Sequence, residues 1–246
     1  MLVSVHLPKT AGTSFGGTLA DHFGDRLYRD YGDFPLNTPP FRRKMSAVLG
    51  GLASVGVSFG AIECIHGHFL PIKYRLLRMR RPTSFITWMR DPVERLASHY
   101  SFWKRSHDPR TSRALHRRVV EEEWSFERFY RSPRLRNVYA QFLWGFPLAN
   151  FDFVGITEHY DEDLRFFTES FLGAALPAYR MTANAAREDA PYVTDARLRA
   201  EIEALHQKDM LLYRHALQLR QARTRRPPAD RRASPPFGRE PGARHA

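Results

Sequence analysis

Leu2-Val3-Ser4-Val5-His6-Leu7-Pro8-Lys9-Thr10-Ala11-Gly12-Thr13-Ser14-Phe15 is the stretch that decides how this chain is read. Residues 2–6 are apolar and β-branched enough to form a strand. A helix is expected from about Thr13 to Phe23. The turn between them holds a lysine, a glycine and three hydroxyls. Free N–H groups at a helix start, aided by the helix dipole, attract anions. Gly12 lets the backbone approach a phosphate closely, Lys9 adds a point charge, and Thr10, Thr13 and Ser14 add donors. The spacing is not that of an ATP-binding P-loop, whose lysine follows the last glycine, whereas here Lys9 precedes Gly12. An ordinary capped strand–helix turn is the simpler alternative for this stretch alone.

Outward from it, the same alternation recurs. Thr83–Met89 reads as a buried strand, and Asp91-Pro92 opens a helix with Asp91 as N-cap, Pro92 at the first position and Glu94 closing a variant capping box. Val93, Leu96, Ala97, Tyr100 and Trp103 follow helical spacing toward a core. Phe151–Ile156 reads as a further strand, with a helix over about 160–171. Helices are expected over 44–56, 125–131 and 137–144, and a loop over 25–43. Leu198, Ile202, Leu205, Leu212, Ala216 and Leu217 mark one face of a last helix, with Thr194 placed to cap it. Strands separated by helices predict a single α/β domain with a central parallel sheet flanked by helices.

Arg90 stands at the end of the 83–89 strand, where open α/β sheets bind ligands. Its guanidinium is always charged and can grip a phosphate with two N–H groups. A plain ion pair with a carboxylate is the alternative. Ser98 follows about two turns into the next helix.

The third element is Ile65-His66-Gly67-His68-Phe69. In an extended segment His66 and His68 share a side. A neutral imidazole accepts a proton near pH 7, so the pair suits a general base. A packed core histidine and a metal site are the alternatives, the latter weakened by the lack of a nearby third ligand.

His6-Leu7-Pro8-Lys9-Thr10-Ala11-Gly12-Thr13-Ser14 resembles the 5′-phosphosulfate loop of the sulfotransferases. It is most similar to the carbohydrate branch that includes heparan sulfate 2-O-sulfotransferase. Arg90 to Tyr100 resembles the 3′-phosphate motif of the same enzymes, about 80 residues on and in the same order. The likeness spans roughly residues 2–219, including the 151–158 strand, a 181–187 loop over the nucleotide and the last helix. It implies a P-loop-NTPase-like domain that takes 3′-phosphoadenosine 5′-phosphosulfate (PAPS) and releases the 3′,5′-bisphosphate PAP, with no metal. It places the phosphosulfate on Pro8, Lys9, Thr10, Ala11, Gly12, Thr13 and Ser14, and the 3′-phosphate on Arg90 and Ser98. His68 becomes the base for an acceptor hydroxyl, His66 its support and Lys9 the stabiliser of the leaving group. Relatives that use a glutamate make Glu63 the reserve base. The implied acceptor is a carbohydrate, an acidic glycan among the candidates.

The chain is expected to depart from that branch in having no N-terminal membrane anchor, and it carries one cysteine where the branch has more. Arg105, Arg110, Arg113, Arg117 and Arg118 surround a polar loop after the second motif, where an acidic acceptor would find charge. The identity of the acceptor and the oligomeric state are not legible.

Charge and composition fit this picture loosely. The 246 residues carry 38 Lys+Arg against 26 Asp+Glu, a net charge of +12. Such a balance calls for an anionic partner. Half of it, +6, falls in residues 220–246, an Arg- and Pro-rich tail expected to be disordered. The single cysteine rules out an internal disulfide. The longest apolar run, 13 residues from Ala53 to Ile65, contains Glu63, so no transmembrane helix is expected. The start reads as a strand and not a signal peptide, which makes the cytoplasm the expected compartment. Two rival classes follow from the residues: an ATP-using phosphotransferase, and a non-catalytic binder of polyanions or nucleic acid driven by the tail. No specific nucleic acid is expected for the enzyme.

Overall fold

The structure, a computed structural model, describes residues 1–173 and 191–225. In chain order the main elements are β1 (Leu2–Val5), α1 (Gly12–Phe23), β2 (Leu27–Asp30), α2 (Pro40–Gly56), β3 (Cys64–Gly67), β4 (Ser84–Met89) and α3 (Pro92–Arg105). They continue as α4 (Ala114–Glu121), α5 (Phe126–Arg131), α6 (Val138–Phe142), β5 (Phe153–Ile156), α7 (Tyr160–Phe167), α8 (Ala196–Leu205) and α9 (Gln207–Arg225). The five strands form one sheet in the order β2-β3-β1-β4-β5, every neighbouring pair parallel. This is the α/β domain expected, with a P-loop-like arrangement of central strand, loop and helix.

Strands buried on both faces supply two core layers. Leu2, Cys64, Ile86, Trp88 and Phe153 pack on one face with Phe15 and Leu19 of α1 and Leu164 and Phe167 of α7. Val3, Val5, Ile65, Phe85, Met89, Val154 and Ile156 face the other way, against α3, α6 and α9. Adjacent residues of each strand therefore serve opposite layers, as the period of two requires.

The chain order locates the cleft. From β1 the chain crosses to β2 on one side of the sheet, whereas from β4 it crosses to β5 on the other. The loops after β1 and β4 consequently diverge and leave a crevice between adjacent strand ends. Lys9 lies in the first loop and Arg90 in the second.

Several expectations need correction. The 25–43 loop contains the edge strand β2 and the first residues of α2. The last helix is two helices that break at His206, and Asp195, not Thr194, caps the first by accepting from the N–H groups of Arg197 and Leu198. The boundary set at Arg220 is too early, because α9 runs to Arg225. The reason is electrostatic: Arg220 Nε (3.0 Å) and Arg223 (2.7 Å) both reach the buried carboxylate of Asp163. The rest of the tail and the 181–187 loop lie outside the described residues.

Candidate active site

The loop after β1 is held in an uncommon backbone shape. Lys9 (φ 66°) and Ala11 (φ 59°) both occupy the left-handed region, which side chains other than glycine disfavour. Thr10 between them is fully buried, and its hydroxyl donates to Leu7 O at 2.9 Å. That hydroxyl therefore holds the turn, and Thr10 has only its backbone left to offer an anion. The first bond of α1 runs from Phe15 N to Ala11 O, so the N–H groups of Gly12, Thr13 and Ser14 precede the helical ladder. No side chain caps them and no acid stands in the first turn. The result is a ring of donors open to an anion.

Gly12 has a second reason to be glycine. A Cβ there would fall 1.9 Å from the ring of His6, which lies directly beneath the loop. His6 is the residue that sequence reasoning missed as a site residue. Its ring stacks on His68 (centroids 4.2 Å) and on His66 (5.2 Å). Its Nδ1 is hydrogen-bonded to Tyr31 OH at 2.9 Å, and Tyr31 meets His68 edge-on at 4.9 Å. Tyr31 follows the edge strand β2, and burial pushes its pKa up to about 12, so it stays a phenol.

The two histidines of the β3 motif are not equivalent. His66 lies within the strand, nearly fully buried under α1, with Nδ1 on Ser4 Oγ at 2.8 Å. Burial takes its pKa down to about 3, with the charges of His68 and Arg29 adding to the effect and the Gly12 backbone opposing it. It is a neutral packing partner. His68 stands beyond the strand end, part-exposed, with Nδ1 2.5 Å from the carbonyl oxygen of His6. A carbonyl can only accept, so Nδ1 carries the proton and Nε2 keeps its lone pair. Burial lowers the His68 pKa, partly offset by that bond, which keeps the ring unprotonated at neutral pH. Gly67 between the pair is needed for a different reason: a Cβ there would lie 1.7 Å from Asp30 O of β2.

Glu63 is at the wrong end of the sheet for a base. It precedes β3, its carboxylate pairs with Arg26, and its carbonyl receives Leu2 N at the start of β1. His68 lies past the other end of that strand, roughly 15 Å along it.

Cations converge on the mouth of the loop. Lys9 Nζ sits 4.0 Å above the Phe102 ring of α3. Burial brings its pKa down to about 8, with Arg105 and Arg90 contributing as like charges. Arg105, read from the sequence as part of an acceptor segment, thus adds its charge to the field at Lys9. Arg90 is fixed by its backbone: Tyr139 OH donates to Arg90 O (2.7 Å) and accepts from Arg90 N (3.0 Å). Its guanidinium is loosely placed, 4.0 Å from Glu94 and 5.5 Å from the Tyr192 ring. Ser98 lies buried on α3.

The capping of α3 differs from the expectation in one detail. Asp91 accepts from Val93 N and Glu94 N at 3.0 Å each, as a cap should. Glu94 does not turn back to complete the box. Its carboxylate accepts from Tyr192 N (2.8 Å) and Val193 N (3.3 Å), while Glu158 takes the N–H of Asp91 (2.8 Å). Tyr139, Glu158 and Tyr192 had no local signal, since each acts across more than 40 residues of chain.

Beside this centre a cleft of about 570 Å³ opens between α2 and α6. Arg43, Lys44, Arg134, Arg136 and Lys208 line it around Trp144, and no acid does. It lies on the far face of α6 from Phe142, which touches the His68 ring edge-on at 6.2 Å.

No family model matches the chain, and no curated protein matches it. Among solved structures it is similar to a crystal structure of a sulfotransferase from Alicyclobacillus acidocaldarius. The identity is 15%, the alignment covers 86% of this chain and 92% of that chain, and the TM-score is 0.45.

Proposed function

We propose that this protein is a sulfotransferase that moves a sulfuryl group from PAPS to an acceptor hydroxyl. The observation that carries the reading is the placement of His68. Its Nδ1 proton is committed to the His6 carbonyl, which leaves the Nε2 lone pair to accept a proton, and its ring stacks on that of His6, which lies against Gly12 of the loop after β1.

In this reading the phosphosulfate lies on the N–H groups of Gly12, Thr13 and Ser14, with Lys9 alongside. Arg90 and Ser98 receive the 3′-phosphate across the crevice. The hydroxyl proton passes to His68 Nε2 as the acceptor oxygen bonds to sulfur. The bond between sulfur and the bridging phosphate oxygen breaks in line, and PAP departs with the electron pair. Negative charge grows on that oxygen, where Lys9 and the preset amides stabilise it. His66 keeps the stack in place and takes no proton.

A carbohydrate acceptor follows from the likeness of the motifs to the heparan sulfate 2-O-sulfotransferase branch. An acidic glycan fits the cation-lined cleft beside α6, which would hold charge on an extended chain away from the reacting hydroxyl. The test is transfer of radiolabelled sulfate from PAPS to a panel of neutral and uronic-acid-containing oligosaccharides, glycolipids and phenols. Label on a uronic-acid-containing member is the expected result. No label on any member, with PAP failing to bind, would refute the assignment.

A further inference from the structure

Helix α2 is built inside out. Its buried positions, Arg43, Ala47, Gly51 and Ser54, are small or polar. Gly51 packs on the neighbouring 71–79 segment so closely that a Cβ there would come 3.1 Å from Ile72 O, while Arg43 turns to Pro35 O and Gln141. The large apolar side chains face solvent instead: Phe41 is 73% exposed, Leu52 61%, Leu49 56%, Met45 46% and Val48 38%. Phe41, Met45, Val48 and Leu52 recur at helical spacing and form one stripe, with Leu49 at its edge. Met79, 78% exposed, closes the 71–79 segment, whose first residues pack on α2. Single exposed apolar residues are ordinary, but a continuous stripe of five is a contact surface.

The charge carried by α2 and the 71–79 segment has one sign, and the acids that meet them, Asp30 and Asp33, are taken up by Lys73 at 2.8 Å each. Neither α2 nor the 71–79 segment contains an acid. Arg42 falls on one flank of the stripe by helical angle, while Lys44 on the other turns its ammonium over the Trp144 ring at 4.7 Å. Arg75 and Arg80 extend the positive field, and among the described residues none of these four is ion-paired. A second copy docked face to face would bring the same cations together. A partner must therefore present apolar surface and negative charge at once.

We propose that α2, with the end of the 71–79 segment, is a peripheral membrane-binding surface. It lies in the plane of an anionic bilayer with the stripe buried at headgroup depth and its flanking cations on lipid phosphates. Nothing in this depends on the transfer chemistry.

The test is co-sedimentation of the full chain with phosphatidylcholine vesicles, with and without phosphatidylglycerol. The protein should pellet with the anionic vesicles, more weakly as salt rises, and little with phosphatidylcholine alone. Phe41→Ser with Leu52→Ser, both at exposed positions, should cut binding about tenfold or more at an unchanged Tm. Arg42→Gln with Arg75→Gln should cost about tenfold. The proposal is overturned if the chain pellets with neither vesicle, or if the serine pair binds like the unaltered protein. A dimer in sedimentation velocity that the serine pair disperses, without lipid binding, would assign the face to a second copy.

Discussion

His68 donates its Nδ1 proton to the backbone carbonyl oxygen of His6 at 2.5 Å, and the His6 ring stacks on His68 with centroids 4.2 Å apart. The residue that opens the anion loop therefore also fixes the tautomer of the candidate base. A carbonyl bond of this kind survives any change to the His6 side chain, whereas the stack does not.

The first prediction concerns pH. A base must be unprotonated, and burial holds His68 below its usual 6.5. The acid limb of kcat/KM should therefore fall at a lower pH than an ordinary histidine would give. Lys9 must be charged, and its pKa is about 8, so the alkaline limb should fall near pH 8. A profile still rising above pH 9 would contradict the role of Lys9, since about nine-tenths of it would be neutral there.

Lys9→Ala should lower kcat by about 10²-fold or more, because its charge acts where negative charge develops. Single-turnover transfer measures this directly. An unchanged kcat with a raised KM would make Lys9 a ground-state contact only.

Gly12→Ala should cost stability and activity together. The added methyl meets the His6 ring at 1.9 Å, so the ring must leave its place under the loop. About 1–3 kcal/mol of stability is at stake, as for other overpacked sites. Displacing the stack should also cost about tenfold or more in kcat. Thermal melts and transfer assays on the same sample check both.

A chain ending at residue 219 should be less stable than one ending at 225. The shorter chain leaves the buried carboxylate of Asp163 without Arg220 and Arg223. Breaking a buried pair on one side costs about 3 kcal/mol. Equal denaturation midpoints for the two chains would show that the helix end contributes nothing.

Much of this was legible in the sequence, and the reasons for the rest are physical. β1, β4 and β5 announce themselves because strands buried on both faces are rich in apolar, β-branched and aromatic residues. β2 does not: Leu27-Tyr28-Arg29-Asp30 is an edge strand with Tyr28 and Arg29 in solvent, so it carries no apolar run. Lys9 and Arg90 could be placed at strand ends from local pattern alone. His6 was in plain view, yet its ring partners lie about 60 residues away and only the register of β1 against β3 brings them together. The same pairing sets Glu63 at the opposite end of the sheet. Thr10 looked like a ligand donor, but its hydroxyl is used to close the turn. Tyr139, which clamps the backbone of Arg90, leaves no trace near either residue.

The central claim is that His68 moves a proton and does not hold the nucleotide. Its most direct test is His68→Ala examined twice, for PAP binding by calorimetry and for sulfuryl transfer from PAPS. The account predicts PAP affinity equal to that of the unaltered protein and transfer reduced to background. A loss of PAP affinity matching the loss of transfer would make His68 a nucleotide contact and contradict the account.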